Sequence, residues 1–403
     1  MKHKIFYKKF LVVFIILCTI FLLSIQGFSI PVRRVVASET ETQTQSETEL
    51  DESVKEQLAE LDLQALQEYL NTLDGFSDKS VGERLLDYVK NTPFDYEGFG
   101  KQILHVLFAK VSEILPAFAC IAAVTLLSGL ITTLKSGTVG KTSGEMIFLI
   151  TYSAALIPLF AVLIECFMQT IDSVSAMQTQ MQLVFPIMLT LMAASGGTLS
   201  AAICRPAVAF FSTTIVSVIR YLVFPITVTI ILFSMASNLT SELKIGKFTA
   251  FFKSINKWLI GVSVSVFGLF FTLQGITSAS YDGVVRRAMK YAIGNGVPIV
   301  GGFLSGGFDL AVAGSILIKN SLGVFGIFLL ISVLFEPLIL LISVNLLLRL
   351  TAAITHPFGD GRISDFLDET ATNMQYCTAG LLFTAFMYFL AIVLMIFSTE
   401  ALL

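Results

Sequence analysis

GNGVPIVGGFLSGG, residues 294–307, places six glycines and one proline inside an apolar part of the chain. In water such a run would end a helix. In a bilayer, where helices associate by close packing, small residues let backbones approach one another. The stretch therefore reads as tight helix contact, the simpler account, or as a broken helix lining a cavity. A second run, SGG at 195–197, has the same character. Gly196, Gly197, Gly301, Gly302, Gly306 and Gly307 are the candidate helix-contact or pathway glycines.

The rest of the chain sets the bilayer as the solvent. Of 403 residues, 55% are apolar and only 14% charged, with thirty-five phenylalanines against one tryptophan. That composition predicts an all-α, polytopic helical membrane protein. Apolar stretches run at roughly 114–134, 145–165, 183–203, 207–236, 257–280, 297–318, 321–348 and 378–398, about seven or eight segments, most of them long enough to cross, with eight crossings the upper count. Two of them carry charge and proline: 207–236 holds Arg220 and Pro225, and 321–348 holds Glu336 and Pro337. These are candidates for broken helices.

The N-terminus has a basic front (Lys2, Lys4, Lys8, Lys9), an apolar core from Phe10, and the small pair Val35 and Ala37 before Ser38. Residues 1–37 read as a signal peptide or signal anchor, which would export residues 38 onward. Residues 38–100 hold sixteen acids and four bases, a net of −12. Within this acidic, extracytoplasmic region residues 38–53 lack apolar periodicity and are expected to be a disordered tether. The leucines at 63, 66, 70 and 73 then predict an amphipathic helix over 54–73, and a second helix is expected over 81–90, ending at the breaker NTPFDYEGFG. The apolar faces of this pair suit packing on each other at the membrane surface, or a partner. Residues 101–403 form the multi-pass domain.

Loop charges give a partial topology. With the acidic region outside, Lys135 and Lys141 fall inside, the interval Cys166–Gln182 without lysine or arginine falls outside, and Arg205 falls inside. The second half conflicts. One short span separates Lys244, Lys247, Lys253 and Lys257 from Arg286, Arg287 and Lys290, so both clusters cannot be cytoplasmic.

Setting 184–202 over 297–314 aligns Pro186 with Pro298 at an offset of 112, and Pro225 with Pro337 at the same offset. An internal repeat of about 145–236 and 257–348 is expected, which in many transport folds places a pathway between halves. Asp309, Glu336 and Arg220 lie within apolar stretches, where a charge at a helix centre costs roughly 2.5 to 3.5 kcal/mol on translocon scales. They are candidate pathway residues. Arg220 has Glu336 or Asp309 as possible partners, or snorkels to an interface.

Other chemistry is not signalled. KSGTVGKTSG lacks the first glycine of a phosphate loop, since Lys135 occupies that place. His105 and His356 stand alone, and the five cysteines, Cys18, Cys120, Cys166, Cys204 and Cys377, fall in apolar segments without recurrent spacing. They read as small buried hydrophobes. No basic face for nucleic acid is present. Neither an enzyme nor a cofactor is expected. The polar stretch HPFGDGRISDFLDET, 356–370, reads as an interfacial connection.

The stretches QGITSASYDGVVRRAMKYAIGNGVPIVGG (274–302), FPIMLTLMAASGGTLSAA (185–202) with Arg205 and Pro206, RYLVFP (220–225) and HPFG (356–359) resemble the stage III sporulation protein AE family of endospore-forming bacteria. The likeness covers about 100–400. It implies a polytopic subunit of a secretion-like channel complex joining mother cell and forespore, required for forespore development after engulfment. The protein would sit in the mother-cell membrane around the forespore, with other membrane and intermembrane-space subunits of the stage III A complex as partners. The resemblance implies no catalytic residue. From the residues alone, two other readings remain open: a stand-alone secondary transporter with Asp309 or Glu336 as coupling carboxylate, and a scaffold without a passage.

Overall fold

The structure is a computed structural model that describes residues 50, 52–73, 79–89, 96–134, 141–239, 245–296, 301–357 and 361–400, with the side chains of 88–107, 128, 131–134, 141–144, 273–296, 301–308 and 398–400 left out. The signal segment, all but the last few residues of the acidic tether, and residues 135–140 lie outside them; residues 50, 52 and 53 of the expected tether are helical. The chain divides into two units, Met1–Glu52 and Ser53–Leu403, and the helical bundle belongs to the second.

Among the described residues every regular element is a helix. Three are short: α1 (53–60), α2 (Gln64–Leu70) and α3 (Val81–Val89). Six are long: α4 (Tyr96–Leu134), α5 (Lys141–Ala194), α6 (Thr198–Leu239), α7 (Gly246–Gly296), α8 (Gly301–Thr355) and α9 (Gly361–Glu400). Each of the six is long and apolar enough to cross a membrane.

Among the described residues there are thus six such helices, and some of the expected apolar segments share one helix. The interval Cys166–Gln182 is no external loop, because it lies inside α5. Arg205 is no loop residue either, being part of α6. The gap between 318 and 321 lies inside α8. The physical reason is that a neighbouring helix accepts hydrogen bonds from polar side chains within the interval 166–182. Ser173 Oγ donates to the Val333 carbonyl at 2.8 Å, and Gln180 Nε2 to the Leu329 carbonyl at 3.1 Å. A polar residue need not break a helix where the protein takes its hydrogen bonds.

Between α5 and α6 the chain turns at Gly196, whose φ of 96° is open to glycine. Gly197 N–H donates to the Met192 carbonyl at 3.0 Å and Gly196 N–H to Ala193 at 3.1 Å, the paired closure of a Schellman motif. The expected break at Pro225 is milder. π-helical turns at Phe211–Ile215 and Ile219–Val223 interrupt α6, and the second comes just before the proline. A widened turn relieves the clash between a proline ring and the carbonyl four residues earlier. Pro337 lies inside continuous α8.

Helix α9 is the axis of the bundle, packed by α8, α6, α5 and α7, while α4 joins the side formed by α5 and α8. The amphipathic pair does not pack only on itself. The expected helix over 54–73 is broken near Asp62, whose carboxylate accepts from the Gln64 N–H at 3.3 Å. Leu66, Leu70, Val81 and Leu85 are buried, and α2 and α3 pack on α5 and α8. Gln57 of α1 lies across Gly314 of α8, donating to the Ala311 carbonyl and accepting from Ser315 Oγ, both at 3.0 Å. A β-carbon on Gly314 would stand 2.9 Å from Gln57 Nε2. Tyr96–Gly100, read as part of a breaker, is the first part of α4.

Candidate functional site

The candidate charges find separate partners. Arg220, in the second π-turn of α6, donates through Nη1 to Ser175 Oγ at 2.9 Å and stacks on the Tyr221 ring at 5.2 Å. Glu336 accepts from Lys110 of α4 at 3.0 Å, and its side chain is 51% exposed. Lys110 also reaches Glu113 at 3.3 Å. Arg220 is thus paired with neither carboxylate considered for it. Asp309 is part-buried near the start of α8. In one continuous helix the interval between Asp309 and Glu336 spans about 40 Å, so the two carboxylates do not share a site.

The candidate glycines separate as well. Gly196 and Gly197 form the turn between α5 and α6, whereas Gly301, Gly302, Gly306 and Gly307 lie in the first turns of α8 as ordinary helical backbone.

The groups the sequence did not flag are interior. Lys319, in the gap between two expected spans, is fully buried and donates through Nζ to the Ile396 carbonyl of α9 at 2.9 Å. Along one face of α9 run Thr370, Asn373, Cys377, Thr384 and Tyr388, each 0% exposed. Their spacing of three and four residues, or its multiples, keeps them on one stripe. Neither amide atom of Asn373 has a hydrogen-bond partner, nor does the Tyr388 hydroxyl. Near Cys377, Asn256 of α7 donates to Thr227 Oγ1 of α6 at 2.8 Å. At the outer part of the stripe Gln180 donates to both the Leu329 carbonyl and the Tyr69 hydroxyl at 3.1 Å. Burial pushes the Tyr69 phenol up, partly offset by that bond. Periodicity over 366–392 would have shown this stripe, but a lone Asn or Thr in a span carries little weight by itself.

A small cavity of about 20 Å³ lies between α5, α6, α7 and α9. Phe185, Phe211, Phe267, Phe270, Met181 and Met387 are among its walls, and no ionisable group lines it. Among the described residues no three His, Cys, Asp or Glu side chains gather as metal ligands would. Cys166, Cys204 and Cys377 are buried as expected, but Cys120 is exposed on α4, where the bundle presents apolar side chains outward.

No solved structure matches the chain. One curated relative, the stage III sporulation protein AE of Bacillus subtilis (strain 168), is 24% identical over 368 residues, covering 90% of this chain and 92% of its own length. The family model for stage III sporulation protein AE matches residues 80–399, from the residue before α3 nearly to the end of α9. That match takes in all six long helices, and the chain belongs to the stage III sporulation protein AE family.

Proposed function

We propose that this protein is the polytopic membrane subunit of a sporulation complex linking mother cell and forespore, and that it works there with other membrane and intermembrane-space subunits. The carrying observation is the family match across the whole bundle together with end-to-end coverage of a relative with that name. The setting is the mother-cell membrane around the forespore, with the N-terminal region extracytoplasmic. The chain acts as an assembly component of a channel and performs no catalysis.

The placement of the charges supports this reading over a stand-alone transporter. A coupling carboxylate belongs beside a substrate cavity at mid-membrane. Glu336 is half-exposed and held by Lys110, and the apolar cavity between α5 and α9 has room for little more than a water molecule. A passage is then built between copies or with partner subunits, with Asp309, Glu336 and Arg220 facing that assembly. The repeat is carried as part of the proposal: α5 with α6, and α7 with α8, are two pairs of long helices joined by short links.

Stoichiometric co-purification with partner membrane proteins from sporulating cells tests the reading. Ion-coupled uptake by the purified chain alone in vesicles would overturn it. Asp309→Asn and Glu336→Gln are expected to impair spore formation at unchanged membrane levels, and full sporulation by both would remove these carboxylates from the function.

A further inference from the structure

The exposed surface of the bundle changes chemistry along its axis. On α5 the exposed face from 146 to 168 shows Met146, Ile150, Ile157, Ile164 and Met168, with Glu165 at its edge. Further along the same helix the exposed residues include Asp172, Thr179, Gln182 and Thr190. On α8 the order is reversed with chain direction: Ser332 and Glu336 are exposed first, then Ile342, Leu346, Leu350 and Ile354. On α7 Phe248, Trp258 and Leu269 are exposed, and the unbroken helix then continues through a segment carrying Asp282, Arg286, Arg287 and Lys290.

The change falls at one height on the α4, α5, α6 and α8 side. Lys110 meets Glu336 at 3.0 Å, Ser173 meets Val333 at 2.8 Å and Arg220 meets Ser175 at 2.9 Å, so these contacts tie the four helices together at a polar ring. Among the described residues of α4, α5, α6 and α8, seventeen of the twenty large apolar side chains left exposed lie between this ring and the helix ends at Leu134, Lys141, Leu239 and Thr355. The three beyond it, Phe108, Leu199 and Phe210, are scattered, as on an ordinary protein surface, while on α7 the apolar face continues to Leu269, level with Phe211.

Length demands the same division. Helix α5 has 54 residues and α8 has 55, so each is about 80 Å long, against a hydrocarbon core of about 30 Å. From Glu145 to Met168, α5 covers about 36 Å, which suffices for one crossing.

We infer that acyl chains surround only the half of the bundle between the polar ring and those ends, and that the other half of the long helices stands in water as a helical tower with α2 and α3 packed on it. The interior of the tower is apolar, which is why its segments read as spans; on α5 and α8 its exposed side is polar or small, on α6 it is so apart from Leu199 and Phe210, and on α7 the apolar face reaches as far as Leu269. Lys135, Lys141, Lys244, Lys247 and Arg362 lie at or beside the lower helix ends, so the positive-inside rule makes those ends cytoplasmic and the tower extracytoplasmic. The conflict between the two basic clusters of the second half then disappears. Lys244–Lys257 belongs to the cytoplasmic end of α7, and Arg286–Lys290 lies in its extension beyond the bilayer.

The native protein supplies the first test. Trp258, the single tryptophan, is 65% exposed in the apolar band. In vesicles of lipids brominated on their acyl chains its fluorescence is expected to be largely quenched, and emission equal to that in unbrominated lipid would overturn the placement. The second test uses Thr190→Cys and Gln182→Cys above the ring, and Ile157→Cys and Leu346→Cys below it, in a chain carrying Cys18→Ser. A membrane-impermeant maleimide added to intact non-sporulating cells that produce the protein, where the extracytoplasmic face lies on the cell surface, should label the upper pair at least about tenfold faster, because the reacting thiolate does not form in hydrocarbon. All four should react after denaturation in SDS. Protection of the upper pair equal to that of the lower pair would overturn the tower, and labelling of the upper pair only after permeabilisation would overturn its orientation.

Discussion

Helices α9 and α7 are both long enough to cross a membrane, yet they live in opposite environments. In the apolar window of α9, 61% of residues are buried inside the bundle; in that of α7, 17% are. The more apolar helix is therefore the hidden one, and the less apolar helix faces outward. Lipid tails are as apolar as a protein core, so hydropathy alone would let either helix face outward. Both turn polar groups inward, α7 burying Thr249, Asn256 and Ser263, and what separates them is how much of each surface the neighbouring helices cover. Helix α9 turns Thr370, Asn373, Cys377, Thr384 and Tyr388 toward its neighbours, whereas α7 shows Phe248, Phe251, Trp258 and Leu269 outward.

The largest expected effect comes from truncating an aromatic ring on each helix. Tyr388→Ala in α9 removes a fully buried ring in edge contact with Phe185 at 5.5 Å, and should destabilise the bundle by about 3–5 kcal/mol. Trp258→Ala in α7 should stay within about 0.5 kcal/mol. Unfolding of the purified protein in bicelles measures both, and equal losses would break the comparison.

Glycines sharpen it next. A β-carbon at Gly380 of α9 would meet Ile219 and Phe224 at 3.0 Å, while one at Gly268 of α7 meets nothing within 4 Å. Gly380→Leu should then cost about 1–3 kcal/mol or more through overpacking, and Gly268→Leu little. Comparable melting temperatures for the two variants would place α9 at the surface.

A smaller effect of opposite sign is expected at Asn373. Its buried amide has no partner, so Asn373→Leu, which keeps the branched shape and the number of side-chain heavy atoms, should be neutral or stabilise by about 1 kcal/mol, because it relieves an unpaired polar group. Destabilisation of that size would mean the amide is satisfied in the membrane. Loss of spore formation with stability retained would give the stripe a function.

The smallest effect lies in the N-terminal helices. Ser80 and Glu83 form a capping box at α3: the Ser80 N–H donates to Glu83 Oε2 at 2.9 Å and the Glu83 N–H to Ser80 Oγ at 3.2 Å. The Ser80 backbone bond, more than any other group, holds the Glu83 carboxyl below its ordinary value. A depressed folded value means that the cap's contribution is full above the unfolded glutamate range and fades as pH falls through the folded value. Hydrogen exchange at the α3 amides should quicken relative to α9 as the medium is acidified below the glutamate range. No differential change would remove the box as a stabilising element.

Some of the fold was legible in the sequence. Leucines three and four residues apart predicted one helix over 54–73, which the structure divides near Asp62; the second expected helix, over 81–90, is α3, and the SGG run at 195–197, read as helix contact or a broken helix, is the turn into α6. The expected span at 145–165 and the first part of that at 183–203 belong to one helix, in which Ser173 and Gln180 bond to α8 across the interval, whereas the end of the second span crosses the turn at Gly196 into α6. Of the candidate site, Glu336 and Arg220 were visible because charge stands out against an apolar background. Lys110 and Ser175, which hold them, did not stand out, since neither is unusual in its own segment. Lys319 was passed over because a lysine between two apolar runs looks like a loop.

Composition and periodicity alone determined that this chain is a helical membrane protein with its acid gathered before the bundle, because those properties follow from transfer energies summed over local segments. Which helix became the axis, which polar groups were satisfied inside and how many apolar runs fused into one rod were decided only by tertiary packing. A buried hydrogen bond such as Gln180 to Leu329 joins residues 149 apart in the chain, and no local pattern encodes its partner.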